Sequence, residues 1–351
     1  MFYPLKFKPV YKDYVWGGRN LEKLGKVLPE GIVAESWEVS CHPDGVSVIS
    51  NGEYEGTPLP EYISAFGRKA IGAALDDRDV VKFPLLVKFI DAADKLSVQV
   101  HPDDAYAQVH ENGEYGKNEM WYILCAKPGA ELIYDLKAGT TRELFKKALI
   151  GAKLESCLKR VKVKAGDVIN IPTGIVHAIG DGIVLAEVQQ NSNTTYRIYD
   201  YGRTDRKLHI EKALEVIDFN SKGRREKYEG LQIEVGPGAT VRYLVANRYF
   251  SVELVDIKGS TCETADGSRF FIYVCIKGHG IISCNNCTVD IRCGDSVLIP
   301  ASMGSYAFEG TLTALKAYVP DLKQNVVEPL KKAGYTEAIM CEKVGGLAES
   351  I

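Results

Sequence analysis

Apolar residues in this chain come mostly in short runs, many alternating with polar positions, and Gly, Pro, Asn and Asp separate the runs. Runs at 46–49, 82–90, 95–101, 120–125, 168–171, 183–188, 240–245, 250–257, 269–276 and 296–299 predict strands. Pro84 stands near the start of its run, where a missing backbone donor does least harm. Many short strands punctuated by turn residues predict a mainly β protein built as a sandwich or barrel. Helical signals are fewer. Thr140-Thr141-Arg142-Glu143 opens a stretch over 140–158 with apolar Leu144, Phe145, Ala148, Leu149 and Cys157. A Thr cap followed by an acidic residue suits a helix start. Segments 210–217 and 321–334 read as two more helices.

The pattern repeats. Gly166-Asp167-Val168-Ile169-Asn170-Ile171-Pro172 matches Gly294-Asp295-Ser296-Val297-Leu298-Ile299-Pro300, and the run from Glu119 to Lys127 matches that from Arg269 to Lys277. Two related β units therefore follow one another, and the 140–158 helix is an insertion in the first. Aligning Cys125 on Cys275 sets Arg269 against Glu119. Aligning Gly166 on Gly294 sets Ser305 against His177. The first unit thus carries potential metal ligands that the second lacks. The domains expected are a catalytic unit at 1–219, a charged linker at 220–229, a metal-free second unit at 230–320 and a tail at 321–351.

Composition narrows the function classes. The chain has 351 residues, 46 % of them hydrophobic, and a formal net charge of -3, with no long basic run to recruit a nucleic acid. No apolar run is long enough to span a bilayer, and the N-terminus lacks the apolar core of a signal peptide. Nine cysteines, an odd number, fit reduced thiols in a cytoplasm. Cys284-Asn285-Asn286-Cys287 reads as a tight hairpin turn, since a zinc ribbon needs a second such pair. The sequence specifies no oligomeric state.

Candidate chemistry lies in the first unit. Period-two alternation over 95–101 places Leu96, Val98 and Val100 on one face and Lys95, Ser97, Gln99 and His101 on the other. A solvated polar face is the bland alternative. Glu119 opens a strongly apolar strand, His177 lies in an apolar segment after a turn, and Glu187 interrupts a buried run. A lone His so placed is more often a satisfied core residue. Together Gln99, His101, Glu119 and His177 supply two nitrogens and two oxygens, a set that suits a borderline ion such as zinc. Gln is the least usual ligand of the four. His42, His110, His209 and His279 lack a set of neighbouring ligands in the sequence, and His42-Pro43-Asp44 reads as a turn.

Val15-Trp16-Gly17-Gly18, Glu35-Ser36-Trp37-Glu38, Ser97-Val98-Gln99-Val100-His101-Pro102, Gly116-Lys117-Asn118-Glu119 and Gln189-Gln190-Asn191-Ser192-Asn193-Thr194-Thr195-Tyr196-Arg197 run in this order along the first two thirds of the chain. In these motifs the sequence resembles the type I mannose-6-phosphate isomerases, zinc-dependent members of the cupin superfamily. The resemblance implies two cupin-like jelly-roll β-barrel units and one zinc ion per chain, held by Gln99, His101, Glu119 and His177. It implies a small sugar phosphate as partner, Arg197 in the active site, and Ser97 and Arg203 on the phosphate. Aldose–ketose isomerisation needs a base between C1 and C2. Glu187 or a metal-bound water can fill that role, with Lys117 a candidate for ring opening. An iron-dependent cupin oxygenase and a non-catalytic sugar-phosphate sensor are the competing readings, because one fold hosts many functions.

Overall fold

The computed structural model of the protein describes residues 2–220, 224–285 and 287–351. The first unit is a sandwich of two antiparallel sheets. One has the strand order Leu158–Lys162, Glu131–Leu136, His177–Ile179, Val98–Val100, Tyr196–Tyr199. The other runs Val168–Ile171, Glu119–Ala126, Ile183–Gln190, Leu85–Ala92, Glu35–Val39, Val10–Lys12. Trp121, Ile123 and Leu185 from the larger sheet meet Leu132, Tyr134 and Ile179 from the smaller one in a shared core. Alternation along each strand decides which side chains enter that core and which face away.

The outer faces are covered as well. Val98 and Val100 point outward under Phe145 and Leu214, from the helices Arg142–Ile150 and Ile210–Val216. Thr141 caps the first of these, accepting a hydrogen bond from the Leu144 N–H at 3.2 Å. Leu96 departs from the predicted alternation. It precedes the strand and packs into the inner core instead. On the larger sheet Leu85, Val87, Phe89, Ala186 and Val188 face the second unit and share one core with Val252, Val274 and Leu315.

The second unit is a continuous sheet in which Ser251–Ala265, Gly304–Tyr318 and Phe271–Cys284 are the long central strands. They bend where Gly310 pairs with Gly259 on one side and Gly280 on the other. Gly310 has φ +138°, and a Cβ there would fall 2.6 Å from the Gly280 Cα, so only glycine fits this corner. The strand Leu5–Lys8 pairs with Ser296–Ile299, so the chain begins inside the second unit's sheet before it builds the first unit.

Backbone hydrogen bonds define the repeat. Gly166 N–H bonds to the Ile123 carbonyl at 2.8 Å and Gly294 N–H to the Cys275 carbonyl at 2.8 Å, and both glycines have φ +89°. Ile123, not Cys125, is thus the counterpart of Cys275, and Glu119 aligns with Phe271 rather than Arg269. A slip of two residues keeps every side chain on its face, which is why the sequence pattern tolerated it. Cys284 faces Cys287 across a hairpin with Asn285 at φ +47°, while Asn286 lies outside the described residues. Of the predicted linker, 221–223 also lie outside them, and Lys227 is tied to Asp167 at 2.7 Å. All nine cysteines are free. Among the described residues no helix is long and apolar enough to cross a membrane.

Candidate active site

The smaller sheet carries Tyr134, His177, Gln99 and Arg197 in one register row across four adjacent strands. The larger sheet carries Trp121, Glu187, Lys88 and Trp37 in another. The first row delivers Gln99 and His177 to the interior, and His101 follows from the end of the same strand as Gln99. Glu119 reaches them from the opposite sheet, two residues before Trp121.

His101, Glu119 and His177 have ligand atoms all within 4.8 Å of one another. His101 Nε2 lies 3.1 Å from His177 Nε2 and 3.2 Å from Glu119 Oε1, and Gln99 Nε2 lies 3.4 Å from His177 Nε2. Each imidazole turns its Nδ1 to a backbone carbonyl, Thr194 for His101 and Ile175 for His177, both at 2.9 Å. Those carbonyls can only accept, so Nδ1 carries the proton and Nε2 presents a lone pair. Burial pushes the His101 pKa down to about 3, helped by the Lys117 ammonium, and burial lowers that of His177 too. Both rings are therefore neutral near pH 7. Burial alone would raise the Glu119 pKa, but the Lys117 ammonium beside it outweighs burial and holds the carboxyl well below its usual range.

Two lone pairs face each other at 3.1 Å beside the Glu119 carboxylate, with the Lys117 ammonium 3.4 Å from His101 Nε2, and a divalent ion among them would relieve that repulsion. The donor set fits a divalent metal: two neutral nitrogens, a carboxylate and the Gln99 amide, with Lys117 Nζ 2.9 Å from Glu119 Oε1.

A cleft of about 240 Å³ opens beside this cluster, and Ser97, Gln99, Lys117, Glu119, Glu187 and Arg197 all line it. Glu187 is 3 % exposed. Its Oε2 accepts from Trp121 Nε1 at 2.8 Å, and Lys88 Nζ stands 3.3 Å from Oε1. Burial, then repulsion from Glu119, pushes its pKa up to about 7. Lys88 is buried too. Burial would lower its pKa, but the Glu35 and Glu187 carboxylates raise it, so it stays charged.

Arg203 does not line the cleft. It donates from Nη2 to the Lys95 carbonyl at 2.6 Å and from Nε to Asp200 Oδ1 at 3.1 Å. Lys88, Arg206 and His209 do line it, and none of them stood out in the sequence. Lys88 was legible only as a lysine inside an apolar run, a signal that is expensive to bury and so worth flagging.

Comparison with known proteins gives the family. Residues 4–122 match the family model "Phosphomannose isomerase type I, catalytic domain", and residues 240–319 match "Mannose-6-phosphate isomerase, cupin domain". The chain is 40 % identical to a mannose-6-phosphate isomerase of Bacillus subtilis over 88 % of its own length and 96 % of the relative's. It is 36 % identical to that of Streptococcus mutans over 90 % and 98 %. A crystal structure of a Bacillus subtilis mannose-6-phosphate isomerase superposes with a TM-score of 0.83 at 34 % identity, covering 90 % of this chain and 99 % of the other.

Proposed function

The chain belongs to the type I phosphomannose isomerases, and from that premise we propose that it interconverts mannose-6-phosphate and fructose-6-phosphate through an enediol, with one zinc ion held by Gln99, His101, Glu119 and His177. The supporting observation is one cleft, lined by Gln99 and Glu119 of this donor set, that also reaches a buried carboxylate, Glu187, whose pKa is pushed up to about 7. When bound, the ion supplies Lewis acidity to the sugar's carbonyl and hydroxyl oxygens.

The chain's own groups do the rest. Glu187 takes the proton from C2 of the open aldose while O1 gains one, which leaves the enediol. It then returns a proton to C1 while O2 loses one, which yields the ketose. A base with a pKa near the working pH can both accept and release that proton. Trp121 fixes one oxygen of Glu187, and Oε1 accepts no hydrogen bond among the described residues. Arg197 brings fixed positive charge to the oxygens that become negative. Lys117 is the acid for ring opening. Ser97 and the arginine-rich segment from Arg197 to Arg206 take the phosphate end. Catalysis falls to residues 1–219, less the strands Leu5–Lys8 and Val48–Ile49 that join the second unit's sheet, with 220–229 leading to the metal-free 230–320 and the tail 321–351, and the reduced thiols suit the cytoplasm.

Turnover of mannose-6-phosphate in D2O tests the proton-transfer route. Deuterium entering C1 of fructose-6-phosphate as the two sugars equilibrate is the expected result, and a sugar pool still free of solvent deuterium after many turnovers would overturn it.

A further inference from the structure

Asp200 is 2 % exposed and lies among three guanidinium groups. Arg206 pairs with it through two bonds, Nη2 to Oδ1 at 2.7 Å and Nε to Oδ2 at 3.0 Å. Arg203 reaches Oδ1 at 2.8 Å, and the Nε of Arg197 stands 4.0 Å from Oδ2. A turn creates this crowding. Tyr201 and Gly202 both have positive φ, +54° and +85°, and Arg203 N–H closes onto the Asp200 carbonyl at 3.0 Å. The chain folds back so that Arg206 returns to the cleft wall while Arg203 turns to Asp94 and the Lys95 carbonyl.

The charges do not balance on the cleft side. Arg203 has a second counter-ion in Asp94 at 3.6 Å and is braced by the Lys95 carbonyl, so its charge is answered away from the cleft. Arg197 and Arg206 share the single carboxylate of Asp200, and both line the cleft. The bidentate pair with Asp200 uses the Nε and Nη2 edge of Arg206, which leaves the Nη1 edge for a second anion. Arg197 donates from Nε to Ser97 Oγ at 3.2 Å, so the Ser97 hydroxyl hydrogen is available to another acceptor. His209 completes the wall. Arg197 N–H donates to its Nδ1 at 3.3 Å, which leaves Nε2 to carry the ring proton as a donor.

We propose that Arg206, oriented by Asp200, is the guanidinium that clamps the substrate phosphate, with Ser97, Arg197 and His209 beside it, and that Arg203 is a brace for the turn. This rests on the sugar-phosphate reading above and assigns a residue within it. Asp200 is a positioning residue. It holds Arg206 at the wall while the cleft is empty and never touches the substrate.

Steady-state kinetics on the metal-loaded full chain, together with calorimetric titration of inorganic phosphate, test the assignment. Arg206→Ala should raise KM for mannose-6-phosphate about tenfold or more with kcat changed by less than about threefold, the loss of one charge-assisted hydrogen bond. Phosphate affinity should fall by a like factor. Arg206→Lys should recover part of both, since it restores charge without the fork. Asp200→Asn should raise KM about threefold with kcat retained, a split that general loosening of the fold would not give. Arg203→Ala should move KM and phosphate affinity less than Arg206→Ala does. KM and phosphate affinity within twofold of wild type in Arg206→Ala, or a larger rise in Arg203→Ala, would overturn the clamp. A wild-type chain that turns over no mannose-6-phosphate would sink the substrate reading, and the phosphate titration would still decide the role of Arg206.

Discussion

The two β units place the same kind of row at the same depth and use it differently. In the first, the cross-strand order is Trp121, Glu187, Lys88, Trp37, and in the second it is Tyr273, Lys316, Glu253, Tyr243. Each is an aromatic, a charge, a counter-charge and an aromatic, with the two signs exchanged. The difference is what remains unsatisfied. In the second unit Lys316 pairs with Glu263 and lies 4.5 Å over the Phe271 ring. Tyr306 donates to Glu263 at 3.2 Å, and Tyr318 donates to Glu253 at 2.5 Å. In the first unit Glu119 Oε1 and Glu187 Oε1 meet lysine ammonium groups, Lys117 at 2.9 Å and Lys88 at 3.3 Å, and neither these oxygens nor Glu119 Oε2 accept a well-formed hydrogen bond among the described residues. Arg269 donates to the Val319 carbonyl, and Ser305 is exposed beside Thr264, so neither reaches an interior ligand position. Under-satisfied buried carboxylates that converge on one cleft, as Glu119 and Glu187 do, point to where a ligand acts.

That contrast can be broken at several points. The largest effect is expected at the metal ligands. His101→Ala should lose both bound metal and at least about 10³-fold in turnover, several kcal/mol of transition-state stabilisation. Arg269→Ala should keep its metal. Elemental analysis beside the activity assay checks both, and full metal content in His101→Ala would remove that residue from the ligand set.

The two charged rows come next. Glu187→Gln should cost about 10²–10⁴-fold in turnover with metal retained. Lys316→Met breaks a buried pair and should destabilise the fold by about 3–5 kcal/mol, read by denaturant unfolding, with turnover per folded molecule nearly unchanged. Near-normal turnover in Glu187→Gln would exclude it as the proton-transfer base.

The smallest effect lies in the pH profile. Glu187 must be ionised to accept a proton, so turnover should fall about tenfold per pH unit below about 7 and level off above it. The Lys88 ammonium favours the ionised form, so Lys88→Met should raise the Glu187 pKa and move this acid limb to higher pH. An acid limb that stays in place would detach it from Glu187.

Much of this was legible in the chain. Strands Val168–Ile171 and Ser296–Ile299 appear with the predicted bounds, because each is a compact apolar run beside a Gly-Asp turn. The donor cluster was legible because strict alternation at 97–101 put Gln99 and His101 on one face, and extended motifs pointed to Glu119 and His177. The strand Gly304–Tyr318 was missed. Its Gly304 and Gly310 break up the apolar pattern, and its pairing comes from distant residues. Lys88 and Glu187 are almost a hundred residues apart, and no local pattern shows their pairing. The different placements of Arg203 and Arg206 depend on the backbone sign at Tyr201, which residue identity alone does not reveal.

The most direct test is a coupled assay for fructose-6-phosphate formed from mannose-6-phosphate, run before chelation, after chelation and after zinc is returned. Activity that disappears with the chelator and returns with zinc is the predicted result. A folded, zinc-loaded protein that forms no fructose-6-phosphate, or one whose activity survives complete metal removal, would contradict the account.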